Sequence, residues 1–81
     1  MVREDKRRHE QKFIEMGLRI ANYRKLKGFS QMKLAELVGI SRTHLSNIEA
    51  PHSVTHISLN TLFDICDILD ISVTRLLDFD D

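Results

Sequence analysis

Gln31-Met32-Lys33-Leu34-Ala35-Glu36-Leu37-Val38-Gly39-Ile40-Ser41-Arg42-Thr43-His44-Leu45-Ser46-Asn47-Ile48-Glu49 is the stretch on which the fold turns. It holds each residue type that two short helices need in order to cross steeply through a tight turn. Leu34, Val38, Ile40, Leu45 and Ile48 are apolar where the helices must meet the core, and Ala35 is small where the second helix must come close. Gly39 falls at the turn, where the backbone takes a positive φ that glycine adopts without strain. Agreement at all of these sites is far more specific than any motif of two or three residues.

The flanking residues punctuate the same two helices. Ser30 is an N-cap for a helix from Gln31 to Val38, and Ser41 caps a second that continues to Glu49, with His44 at its third position. Pro51 ends it, because the residue before a proline avoids the helical region. Upstream, Phe13, Met16, Gly17, Ile20, Tyr23 and Arg24 share one face at helical spacing, so a first helix is expected from His9 to Lys27, ended by Gly28. Gly17 on that face lets a neighbouring helix approach closely. Downstream of a polar loop, Ser58 caps a fourth helix to Leu69 whose apolar stripe is Leu59, Leu62, Phe63, Ile65, Cys66 and Leu69. Ser72 then caps a short fifth helix, Val73 to Leu77. The expected architecture is all-α: five helices over residues 13–81 sharing one core, preceded by a charged N-terminal extension, residues 1–12.

A chain of 81 residues supports one modest core and leaves no room for a separate catalytic domain. Neither a membrane-spanning run nor a secretory signal is visible, so a cytoplasmic protein is expected. Cys66 is the only cysteine, which excludes an internal disulfide, and its place in the apolar stripe makes it a buried small hydrophobe. The formal net charge is zero, yet eleven of the twelve basic residues lie between Arg3 and Arg42, while Asp64, Asp67, Asp70, Asp78, Asp80 and Asp81 crowd the last quarter. A chain basic at one end and acidic at the other holds a polyanion on one face and stays soluble through the other.

These residues give the chain its likeness to a known family. It resembles the Cro and lambda-repressor type of helix-turn-helix domain, also called the xenobiotic-response-element family, from about Gly17 to Leu77. The resemblance rests on Arg24 in the first helix, Ser30-Gln31 opening the second, Leu34-Ala35 one turn on, Gly39 at the turn, and Ser46-Asn47-Ile48-Glu49 closing the third. It implies a lambda-repressor-like DNA-binding domain in which Arg24 and Glu49 form a partly buried ion pair between the first and third helices. It departs from the pattern after Glu49, where Ala50-Pro51 replaces the usual glycine, so a different path is expected for the following loop.

In such a motif the second helix of the pair enters the major groove and its outward side chains meet base edges. Here the outward set is Arg42, Thr43, Ser46 and Asn47. Arg42 suits guanine, Asn47 adenine, and the Thr43 methyl thymine. His44 is expected to be an exposed polar residue. Gln31 stands at a helix N-terminus that favours phosphate, a contact the resemblance also implies; Ser30, Lys33 and Arg19 are further phosphate candidates, with Lys25 and Lys27 behind them. One helix reads too few bases for discrimination, so a homodimer on a near-palindromic operator is expected. Its candidate interface is Val73, Leu76, Leu77 and Phe79, apolar area that so short a helix has little means of burying internally.

The function that follows is a sequence-specific regulator of transcription, a repressor, acting on double-stranded DNA. An antitoxin-type interaction module that also binds its own promoter, or a restriction-modification controller, are the alternative readings. An enzyme is not expected, since no nucleophile stands beside a base at a recognisable spacing and no glycine-rich phosphate loop occurs. No cofactor or metal is expected either: His9, His44, His52 and His56 are scattered, and Asp64, Asp67 and Asp70 suit a solvated helix face.

Overall fold

The computed structural model describes residues 9–79, which form α1 (Glu10–Leu26), α2 (Gln31–Val38), α3 (Arg42–Glu49), α4 (Leu59–Leu69) and α5 (Thr74–Leu77), with no strand among the described residues. Three serines set three of the helix starts, whereas Ser72, expected to cap the fifth helix, stands one residue ahead of its N-cap, Val73, which has no side-chain cap bond. Ser30, Ser41 and Ser58 are extended N-caps whose Oγ atoms accept from the backbone N–H of Lys33, His44 and Thr61 at 3.0, 2.9 and 3.1 Å. Each bond satisfies one of the amides that a helix start leaves without an internal acceptor. The N-terminal extension expected over residues 1–12 divides: residues 1–8 lie outside the described residues, and Glu10, Gln11 and Lys12 already belong to α1.

The helix ends are equally specific. At the end of α1 the Gly28 N–H reaches Lys25 O at 2.9 Å and the Phe29 N–H reaches Arg24 O at 3.1 Å, a paired closure that turns the chain toward α2. The end of α4 repeats this pattern with Asp70 at φ 57°, a left-handed residue that is not glycine, and with Ile71 N–H on Cys66 O at 3.0 Å. Aspartate tolerates that conformation better than most side chains. After α3 the backbone leaves in the extended direction at Ala50, φ −74° and ψ 133°, so the Ala50-Pro51 sequence replaces a left-handed exit by a straight one.

One apolar cluster joins every helix. Ile20 of α1, Leu34 of α2, Leu45 of α3, Leu62 and Ile65 of α4 and Leu76 of α5 are its most deeply buried members. α1 packs on α3, α4 and α5, and α2 packs on α3 and α4, so α3 is clasped between α1 and α2. Cys66 is buried in this cluster, where burial pushes its thiol up and the Asp67 carboxylate adds to the effect.

Two expectations about apolar residues need correction. Leu76 is not an interface residue; it is fully buried, because α5 lies along α1 and Arg19 of α1 donates to the carbonyl oxygens of Asp78 at 2.8 Å and Leu76 at 3.5 Å. The area that a four-residue helix lacks is supplied by its neighbour. Conversely, Leu59 and Phe63, counted in the α4 stripe, are exposed at 64% and 46%: spaced i and i+4, they share a face turned away from the core that Leu62, Ile65, Cys66 and Leu69 meet.

Candidate nucleic-acid interface

The α2–α3 pair is set by one short turn. The N–H groups of Gly39 and Ile40 both reach the carbonyl of Ala35, at 2.8 and 3.0 Å, and Gly39 takes φ 87° to allow it. A Cβ at Gly39 would meet nothing within 4 Å, so the backbone angle, and not lack of room, is what calls for glycine here. From the turn, α3 begins at once with Arg42.

α3 divides cleanly by face. Leu45, Ile48 and Glu49 are buried against α1 and α2, whereas Arg42, Thr43 and Asn47 are exposed and Ser46 is half-buried at the edge of the same side. The structure therefore brings the four expected base-reading residues onto one helix face. His44, expected to be exposed, is half-buried.

Behind this face lies a buried polar cluster. Glu49 Oε2 accepts from Arg24 Nε at 2.8 Å and Glu49 Oε1 from Arg24 Nη2 at 2.9 Å, a two-point contact between side chains that are nearly inaccessible. Arg24 Nη1 donates to Phe29 O at 2.9 Å, so one guanidinium ties α1, the α1–α2 turn and the end of α3 together. Gln31 Nε2 adds a third bond to this carboxylate, at 2.9 Å to Glu49 Oε1. No buried side-chain polar atom among the described residues lacks a partner, which is the condition for a buried ion pair to be tolerated.

The phosphate candidates separate. Gln31 is half-buried at the start of α2, and Ser30 and Lys33 are exposed beside it, with the Ser30 hydroxyl engaged as the cap. Lys25 and Lys27 are exposed at the end of α1. Arg19 is a correction. Besides its bonds to the Leu76 and Asp78 carbonyls, its guanidinium lies 5.2 Å from the centre of the Phe79 ring and 3.7 Å from Glu15, so it serves the α1–α5 contact and not the α2–α3 face. Of the interface candidates other than Leu76, Leu77 is exposed, while Val73 and Phe79 pack in part against the core.

Three features have no sequence signature: the Gln31–Glu49 bond, the Arg19 contacts with the C-terminal segment, and the tilted contact of the His56 and Phe13 rings, with ring centres 4.7 Å apart. Each pairs residues brought together only by the fold. Among the described residues no group of three His, Cys, Asp or Glu side chains is placed to hold a metal ion, and no helix is long and apolar enough to cross a membrane.

Two helices crossed through a glycine turn, the second capped by serine and bearing polar side chains outward, define a helix-turn-helix domain. Residues 20–76 match the helix-turn-helix family model, and the chain belongs to that family. It is 43% identical over 63 residues to the HTH-type transcriptional regulator SinR of Bacillus subtilis, an alignment covering 78% of this chain and 56% of SinR. The chain thus spans about half the length of the curated relatives it matches. Among solved structures it is similar to the restriction-modification controller protein C.AhdI from Aeromonas hydrophila, with a TM-score of 0.74 and 29% identity over 82% of this chain and 97% of that one. It is also similar to a crystal structure of SinR, the master regulator for biofilm formation, in complex with DNA, with a TM-score of 0.71 and 43% identity over 78% of this chain and 98% of that one.

Proposed function

We propose that this protein is a sequence-specific regulator of transcription that reads the major groove of double-stranded DNA through α3, as a repressor. The observation that carries the reading is the division of α3: Arg42, Thr43 and Asn47 stand exposed on a helix whose opposite side, Leu45, Ile48 and Glu49, is buried. Arg42 offers a fork of donors to guanine, Asn47 a donor and an acceptor to adenine, and Thr43 a methyl to thymine, with Ser46 at the rim. Gln31, Ser30 and Lys33 face the backbone at the start of α2, where unpaired amides and the positive end of the helix dipole favour phosphate. Lys33 and Arg42 are exposed on α2 and α3, with Glu36 the exposed acid on α2, while exposed Asp64, Asp67, Asp70 and Asp78 lie on or after α4. The family relationship to SinR, a transcriptional regulator, supports the same reading.

The reading includes a homodimer on a near-palindromic site with half-sites about 34 Å apart, because one short helix reads too few bases for useful discrimination. Leu77, with the exposed parts of Val73 and Phe79, is the surface proposed to meet the second copy. Selection of bound duplexes from a random pool tests the function directly. An enriched, two-fold symmetric site is the expected result; retention of all sequences alike, or of none, overturns it. Control of restriction-modification genes is the second reading, favoured by the fit of this fold over 97% of C.AhdI.

A further inference from the structure

We infer that Glu49 is a positioning residue for DNA binding: the carboxylate that locks α3 to α1 also aims the amide of Gln31 at the phosphate backbone. This rests on the DNA-binding reading given above.

A glutamine amide presents either its NH2 edge or its carbonyl edge, and at an exposed helix start the two are nearly equivalent. A carboxylate accepts hydrogen bonds and has none to give. With Glu49 Oε1 2.9 Å from Gln31 Nε2, only the NH2 edge faces Glu49 without repulsion, so the choice is made before any ligand arrives. One N–H of Gln31 is used in this bond and the other has no protein partner among the described residues. It stands at the start of α2, where the backbone N–H groups of Gln31 and Met32 also lack an intrahelical acceptor while that of Lys33 is taken by Ser30. Glu49 itself does not wander, since it is 6% exposed and gripped at both oxygens by Arg24. The Arg24 charge also offsets a carboxylate that would otherwise repel phosphate. Order therefore passes from the buried pair to a surface amide through one hydrogen bond, and the entropy of fixing Gln31 is met in the free protein.

The test is a double-mutant cycle on affinity for a selected duplex, using Gln31→Ala, Glu49→Gln and the double variant at a temperature where all are folded. Glutamine at 49 has a single oxygen to share between Arg24 and Gln31, so it loosens the amide. Each single change is expected to weaken binding about 3- to 10-fold, the range of one modest hydrogen bond, and the double variant no more than Gln31→Ala alone. Multiplied losses in the double variant overturn the inference while leaving DNA binding intact. Wild type that selects no duplex overturns both. Should Glu49→Gln not fold, the side-chain amide signals of Gln31 in nitrogen-15-labelled wild type decide the matter. They are expected to stand apart from those of exposed Gln11, with and without DNA; coincidence with Gln11 in the free protein overturns the inference.

Discussion

Gly17 and Ile48 are in backbone contact: a Cβ placed on Gly17 would lie 1.8 Å from the carbonyl oxygen of Ile48 and 2.9 Å from its carbonyl carbon. Nothing there is a flexible side chain that moves aside. α1 and α3 meet at this point with no side chain between them, and the approach brings Arg24, two turns further along α1, within reach of Glu49. Gly17→Ala should therefore destabilise the domain by about 3 kcal/mol or more, at the upper end of overpacking changes. Gly39→Ala, with open space but φ 87°, should cost only about 1–2 kcal/mol from the left-handed backbone. Urea unfolding of the two variants separates close approach from backbone angle.

Removal of either member of the buried pair leaves the other charged and without its partner. Glu49→Ala should cost about 3–5 kcal/mol. An unchanged thermal midpoint would contradict the structural role of the pair.

Arg42→Ala should weaken binding to a selected site by about 1–3 kcal/mol and relax preference at one base pair, as the loss of a bidentate base contact does. Lys33→Ala should weaken selected and random duplexes alike and reduce the slope of log K against log salt by about 1. Titrations of both variants on both duplexes at several salt concentrations distinguish the roles. Equal losses on selected and random duplexes for Arg42→Ala would defeat the base-reading assignment.

Adjacent leucines in α5 should behave oppositely. Leu76 is fully buried, so Leu76→Ala should cost about 2–5 kcal/mol. Leu77 is 41% exposed, and Leu77→Ser should change the stability of the single chain by less than about 0.5 kcal/mol. If Leu77 meets a second copy, the same change lowers the mass measured by sedimentation at micromolar concentration.

Cys66 should couple stability to alkaline pH. Burial, with Asp67 beside it, raises the thiol above its ordinary value, so the unfolded chain loses this proton first as pH rises. The folded state keeps its advantage below the unfolded value and loses it as pH climbs through the folded one. Between neutral and about pH 10, the urea midpoint of wild type should fall more steeply than that of Cys66→Ala, which has no thiol to ionise.

Three of the helix starts and the outer face of α3 were legible in the residues alone because their causes are local. Ser30, Ser41 and Ser58 cap the amide three residues ahead, Gly39 answers the angle of its own backbone, and the spacing of Leu45 and Ile48 dictates that Arg42, Thr43 and Asn47 turn outward. The resemblance supplied the Arg24–Glu49 pairing, which no local rule would have produced. Placement of α5 was not legible, since a four-residue helix carries too little pattern to say which side it docks.

By itself, then, the sequence determined five helices, the serine caps of α2, α3 and α4 and the division of α3 into an inner and an outer side, all set by interactions within a few residues of one another. Only the tertiary structure decided that Leu76 is core, that Arg19 is turned to the carbonyls of Leu76 and Asp78, and that Gln31 is held by Glu49. Those outcomes depend on which surfaces meet across the chain, and a side chain's partner 18 or 59 residues away is chosen by packing, not by its neighbours in sequence.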